Sequence, residues 1–189
     1  MIVTTMAIPL PGFSAPAAGF DEPLAMLHAC HDRVRRSLGL LQRICERVRA
    51  RHIDAAVRDA ATDVLRYFDL AAPLHHEDEE RHIFPAVRAG AADSITRNAL
   101  VRLQEQHRLM ADGWALLREP LAALAAGDDA AFGAPECEAA RRFIALYLEH
   151  ADVEEMLVFP AAAALLDHEA LARAGAEMAQ RRGVRPPPA

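Results

Sequence analysis

The segment HHEDEERHIFP, residues 75–85, returns 75 residues later as HADVEEMLVFP, residues 150–160. Both copies share the frame His-x-x-x-Glu-Glu-x-x-x-Phe-Pro. Each follows a lone histidine, His31 lying 44 residues before the first block and His107 lying 43 before the second. The chain therefore reads as two similar halves. Folded face to face, they would bring four imidazoles and two carboxylates together, a ligand set suited to a pair of metal ions in a helical core.

The 189 residues suffice for one ordinary hydrophobic core, and no linker divides them, so one folded unit is expected. Hydrophobic residues make up 52%, much of it Ala and Leu, against one Trp, two Tyr and seven Phe. Ala and Leu are strong helix formers, and the β-branched and aromatic content a sheet protein needs is modest, so the expected fold is all-α. A net charge of -6 argues against a nucleic-acid partner. The basic residues are all arginine. No window is apolar for long enough to span a membrane, and Pro9, Pro11 and Gly12 interrupt the N-terminal hydrophobicity. Cys30, Cys45 and Cys137 are far apart and form no Cys-x-x-Cys, which suits a reducing compartment. A soluble cytoplasmic protein without a membrane partner is expected.

The proline- and glycine-bearing stretch 1–20 reads as an extended arm, 21–167 as the bundle and 168–189 as a C-terminal extension. Asp21 is the expected N-cap of a first helix running to about residue 50, with His31 on its apolar stripe. The second helix carries Val57 to Ile83 and ends near Gly90, with a kink expected at Pro73. Ser94 is the expected cap of the third, which stops near Pro120 or continues to Gly127. The fourth opens at Gly133 to Pro135 and carries His150 and Glu154. Pro85 and Pro160 are expected to disrupt the last turns, with Phe84 and Phe159 closing one end of the core. An alanine-rich segment to about Arg182 forms a short fifth helix, and a Pro-rich tail follows from Arg185. Short connections favour an antiparallel up-down-up-down four-helix bundle, which places all four histidines in one layer.

Residues four apart share a helix face, so His75 and Glu79 aim at one spot, as do His150 and Glu154. A carboxylate between two cations can bridge them while an imidazole holds each from the side. Glu80 and Glu155 point about 100° away and are expected to orient an imidazole of a neighbouring helix or to pair with arginine. Cys30 is offset from His31 in the same way and reads as a neighbour rather than a ligand. Of the other histidines, His76 and His82 are expected to line an access route or the surface, His28 to lie above the site, and His52 and His168 to be exposed. Trp114 and Tyr147 read first as core packing.

These blocks, with the single histidines in His31-Asp-Arg and Glu105-Gln-His, resemble the hemerythrin-like, or HHE cation-binding, family from about Asp21 to Leu166. The resemblance implies an antiparallel four-helix bundle around two iron ions bridged by oxide, hydroxide or water. It implies His31, His75, Glu79, His107, His150 and Glu154 as ligands, with both glutamates bridging. The oxygen-carrying members place two histidines one turn apart on the third helix, whereas His107 is flanked at that spacing by Leu103 and Ala111. They also carry an aspartate-type bridge where this chain has Glu154. The implied function is binding of, or reaction with, a small diatomic or peroxide ligand: O2, peroxide or nitric oxide, in redox sensing or stress response. The alternatives are a non-catalytic metal-responsive regulatory module, and an oxygen carrier or iron store.

Overall fold

The fold, a computed structural model, is described for residues 19–90 and 93–184. Most of the expected arm and the Pro-rich tail, residues 1–18 and 185–189, lie outside it. Helix α1 is Pro23–Arg49. Helix α2 spans 55–90 as three α-helical pieces, Ala55–Arg66, Ala72–Asp78 and Phe84–Gly90, joined by π-helical turns at Tyr67–Ala71 and Glu79–Ile83. Helix α3 is Ser94–Ala125. Helix α4 spans 134–165, with Ala134–Val153 and Phe159–Leu165 joined by a π turn at Glu154–Val158. The short α5, His168–Arg181, follows.

The helix starts show which side chains do the capping. The N-cap of α1 is Glu22, with Pro23 at the first helical position and no side-chain cap, so Asp21 does not have the role expected of it. Asp54 caps α2 by accepting from the Val57 amide at 3.1 Å. Asp93, not Ser94, caps α3, accepting from Thr96 N at 2.7 Å. A carboxylate reaches the second or third free amide from the preceding position, and this displaces the serine. At α4 the Glu136 carboxylate reaches back to Gly133 N at 2.8 Å, and Asp167 accepts from Ala170 N at the start of α5.

Proline was expected to kink α2 at Pro73 and to disrupt the last turns of α2 and α4 at Pro85 and Pro160, and the structure places a π-helical turn just ahead of each. The π turns end two residues before Pro73, Pro85 and Pro160, and the helices run on beyond all three. Proline lacks an amide and crowds the carbonyl four residues back. One extra residue in the preceding turn relieves that clash and lets the helix continue. Pro120 sits inside α3 with no such turn, and α3 continues to Ala125.

Helix α1 packs on α2 and α4, and α3 packs on the same two from the other side, so the four rods enclose a square section. The connections are short and neighbours run antiparallel. Helix α5 lies against α1. The core is divided into two apolar layers. One contains Val34, Leu38, Phe68, Ala72, Met110, Phe143 and Tyr147, and the other Leu27, Ile83, Phe84, Leu103, Val158 and Phe159. Every long helix passes from one layer to the other through a buried polar residue: His31, His75 with Glu79, His107, and His150 with Glu154. Among the described residues, no helix is long and apolar enough to cross a membrane.

Candidate metal centre

The polar layer exists because each half of the chain buries a His/Glu pair one turn apart. His75 Nε2 lies 3.1 Å from Glu79 Oε1, and His150 Nε2 lies 3.2 Å from Glu154 Oε1. The π turns of the two blocks begin on Glu79 and Glu154, so their carbonyls accept from Phe84 N and Phe159 N, five residues on. π turns concentrate at functional sites. Both glutamates are fully buried, and the four histidines are nearly so.

The two carboxylates stand between two pairs of imidazoles. Glu79 turns Oε1 toward His75 and His31, the latter at 3.8 Å, and Oε2 toward His107 at 3.5 Å. Glu154 turns Oε2 toward His31 at 3.1 Å and Oε1 toward His150. Two four-membered clusters result, His31/His75/Glu79/Glu154 and Glu79/His107/His150/Glu154, each with its donor atoms within 4.8 Å of one another. Both glutamates belong to both clusters. Such buried His/Glu groupings are consistent with a di-iron site.

Hydrogen bonding outside the clusters fixes the rings. His31 Nδ1 pairs with Glu155 Oε1 at 2.8 Å, and Arg35 grips both oxygens of that carboxylate at 2.8 and 2.9 Å. His107 Nδ1 pairs with Glu80 Oε1 at 2.7 Å, and His150 Nδ1 with Gln106 Oε1 at 3.2 Å. These bonds leave Nε2 of each ring facing the centre, where His107 and His150 approach to 3.0 Å. Glu80 and Glu155 thus meet imidazoles of neighbouring helices. Arg35, Gln106 and His76 were not singled out as partners by sequence reasoning. Gln106 gave no periodic signal, and Arg35 is one of many arginines whose partner depends on packing between α1 and α4.

The electrostatics follow from burial. Loss of water pushes the His75 imidazole well below the usual histidine range, with His31 adding to it, so burial favours the neutral ring. Burial, then the neighbouring Glu154, push Glu79 well above the usual carboxylate range. Burial also opposes ionisation of Glu154, but the His150 and His31 imidazoles outweigh it and hold that group low. Two carboxylates in one dry layer cannot both carry an uncompensated charge. The chemistry such a donor set invites is the binding of cations between the imidazoles and the two carboxylates.

Residues 22–162 match the Hemerythrin HHE cation binding domain. The chain belongs to that family. An uncharacterized protein of Haemophilus influenzae is similar to this HHE chain, 32% identical over 168 residues, covering 89% of this chain and 94% of its own length. The remaining histidines of the HHE chain have other surroundings. His28 is exposed and meets the Phe159 ring edge-on at 4.9 Å. His82 pairs with Glu177 at 2.6 Å, and His52 and His168 are exposed. Cys30 belongs to neither cluster, and all three cysteines are free and buried. Tyr147 and Trp114 pack with Phe68 and Phe143 in the first apolar layer, and the Trp114 Nε1 donates to Asp69 at 2.9 Å.

Proposed function

We propose that this HHE chain is a non-haem di-iron protein that binds or reacts with small oxidants or gases such as O2, peroxide or nitric oxide, in redox sensing or a stress response. One observation carries the reading. All four carboxylate oxygens of Glu79 and Glu154 are buried and have no hydrogen-bond partner among the described residues. An unsatisfied buried carboxylate costs several kcal/mol, and a pair of cations between the imidazoles would satisfy all four oxygens at once.

In this reading His31 and His75 hold one cation with one oxygen from each glutamate. His107 and His150 would hold the other, and Glu79 and Glu154 would supply carboxylate oxygens to both. Imidazole and carboxylate together suit iron, and four protein donors per position leave coordination sites open. When bound, a ferrous pair supplies electrons and open coordination positions to a small oxidant. The protein's own residues set the conditions. Glu155, Glu80 and Gln106 hold three imidazoles in register, Arg35 holds Glu155, and the two apolar layers exclude water and larger molecules. The free buried thiols fit a reducing cytoplasm.

Anaerobic reconstitution with ferrous iron, metal quantification and optical spectra before and after O2, peroxide and nitric oxide test the reading. Two irons per chain and a spectral response to at least one oxidant are expected. Failure to take up a metal pair with all six residues intact refutes it. A stable, repeatedly reversible oxygenated state would identify a carrier instead.

A further inference from the structure

Cys45 and Cys137 meet at the end of the bundle away from the polar layer. We propose that they form an oxidant-driven modification site, closing into a disulfide between α1 and α4 when the protein meets a hydroperoxide. The proposal does not rest on the two-cation reading, since neither cysteine belongs to the metal-binding clusters.

Register puts the two side by side. Cys45 lies 14 residues after His31 on α1, and Cys137 lies 13 residues before His150 on α4. These helices run antiparallel and share the polar layer at those histidines, so both thiols fall about 20 Å from it, at one height. The side-chain contacts agree. Cys137 Sγ lies 3.9 Å from the Cys45 carbonyl oxygen, and the two thiols interact directly. Cys30 sits beside the polar layer, about 22 Å along α1 from Cys45 by helix rise, far beyond the reach of a disulfide to either of the others. Of the pairings open to three free cysteines, geometry therefore allows one.

Both cysteines stand at helix ends. Cys45 is one turn from the end of α1 at Arg49, and Cys137 is in the first turn of α4, four residues after its N-cap Gly133. Helix ends open more readily than helix interiors, so the small approach that brings two Cβ atoms to about 3.8 Å is available there. The cover over the pair is thin. Val48, one turn after Cys45, and Phe132 and Gly133, just before Cys137, line a surface depression of about 450 Å3. Cys45 is 6% exposed and Cys137 1%, so a small oxidant meets Cys45 first. Burial, then the neighbouring Cys137, push the Cys45 thiol up, which keeps thiolate scarce and makes the site answer to sustained rather than passing oxidant.

The chemistry balances with one hydroperoxide. The Cys45 sulfur attacks a peroxide oxygen, the O–O bond breaks, and a sulfenic acid and one water are formed from hydrogen peroxide. The Cys137 sulfur then attacks the Cys45 sulfur, and the hydroxyl leaves as a second water with the Cys137 proton. The two sulfurs give up two electrons and the peroxide takes them. The new bond joins residues 92 apart and ties the outgoing end of α1 to the incoming end of α4.

Hydrogen peroxide is the probe, applied to the reduced full chain with a chelator present so that stray metal catalyses nothing. After exposure the chain is unfolded, free thiols are alkylated with N-ethylmaleimide, and the product is analysed by intact mass and peptide mapping. The expected product carries one alkylated thiol, at Cys30, and a bond between the Cys45 and Cys137 peptides that dithiothreitol reverses. Helical circular dichroism is expected to hold throughout the oxidation and Tm to rise by about 5–15 °C, as closure of a long loop requires. Cys137→Ser is expected to stop at the sulfenic acid, which dimedone traps at Cys45, and Cys30→Ser to oxidise as wild type does. Three alkylated thiols after prolonged exposure overturn the proposal. So do a bond to Cys30, a bond between two chains, and a bond that forms only after helicity is lost.

Discussion

Glu79 and Glu154 are the residues on which the polar layer turns, because they are fully buried acids with none of their oxygens satisfied by the described protein. If the proposed two-iron centre forms, replacing either by alanine is expected to reduce bound iron from two to fewer than one per chain, since each glutamate would serve both positions. His31→Ala removes a donor from one position only and leaves about one iron. Metal analysis of reconstituted variants distinguishes the two patterns. In the metal-free protein the sign of the stability effect reverses. The double variant E79L/E154L replaces two buried acids by apolar groups and is expected to raise unfolding stability by about 1–4 kcal/mol, while losing all stabilisation by metal. Denaturant unfolding with and without iron measures both effects.

At the scale of elements, the bulged helices decide which residues face inward. The turn Glu79–Ile83 contains one residue more than an α-turn would, and Phe84 and Val87 beyond it are fully buried. Deleting Arg81, an exposed residue in this turn, would rotate the rest of α2 by about 100° and carry both side chains out of the core. The expected cost is about 3–6 kcal/mol, the burial of two large apolar side chains. Arg81→Ala keeps the phase and is expected to change stability by less than about 1 kcal/mol. Thermal unfolding of the two variants side by side makes the comparison. The caps titrate at these helix ends. Backbone amide bonds, from Val57 to Asp54 and from Thr96 to Asp93, hold both carboxyls below their usual range. A carboxyl whose folded pKa is depressed contributes stability that is present above its unfolded value and is lost as pH falls through the folded one. Fraying of α2 and α3 is therefore expected to begin only below about pH 4, as helical circular dichroism in an acid titration would report.

For the molecule as a whole, α5 is fastened to the centre by charge. Asp78, next to Glu79 and fully buried, accepts from Arg181 at 2.6 Å and from Arg182 at 2.6 and 3.2 Å. Burial pushes the Asp78 carboxyl up while Arg182 and Arg181 pull it down. Asp78→Ala takes from Arg182 its carboxylate partner and leaves Arg181 only Glu77 and Glu177, and it is expected to cost on the order of 3 kcal/mol, a fall of about 6–12 °C in Tm for a chain of this size. Metal removal acts on the whole molecule too. A ligand at a hundred times its Kd adds about 2.7 kcal/mol to the folded state, so chelation is expected to lower Tm by several degrees, and re-addition of iron to restore it.

The repeat made the site legible, because two His/Glu pairs one turn apart can serve only one face of each helix, and the preceding histidines lie on apolar stripes. Helical periodicity likewise determined the number and approximate bounds of the rods. Three features depended on the folded chain. Proline in a helix says that a carbonyl is crowded, but whether the chain kinks, stops or inserts a residue is settled by what the following turn must bury. Aspartate or serine can cap from neighbouring positions, and the entry angle of the chain chooses between them. The partners of His31, His107 and His150 come from other helices. The sequence determined which donors would be buried, since that follows from periodicity along single helices. Only the tertiary structure decided where their free atoms point, since direction depends on contacts between helices far apart in the chain.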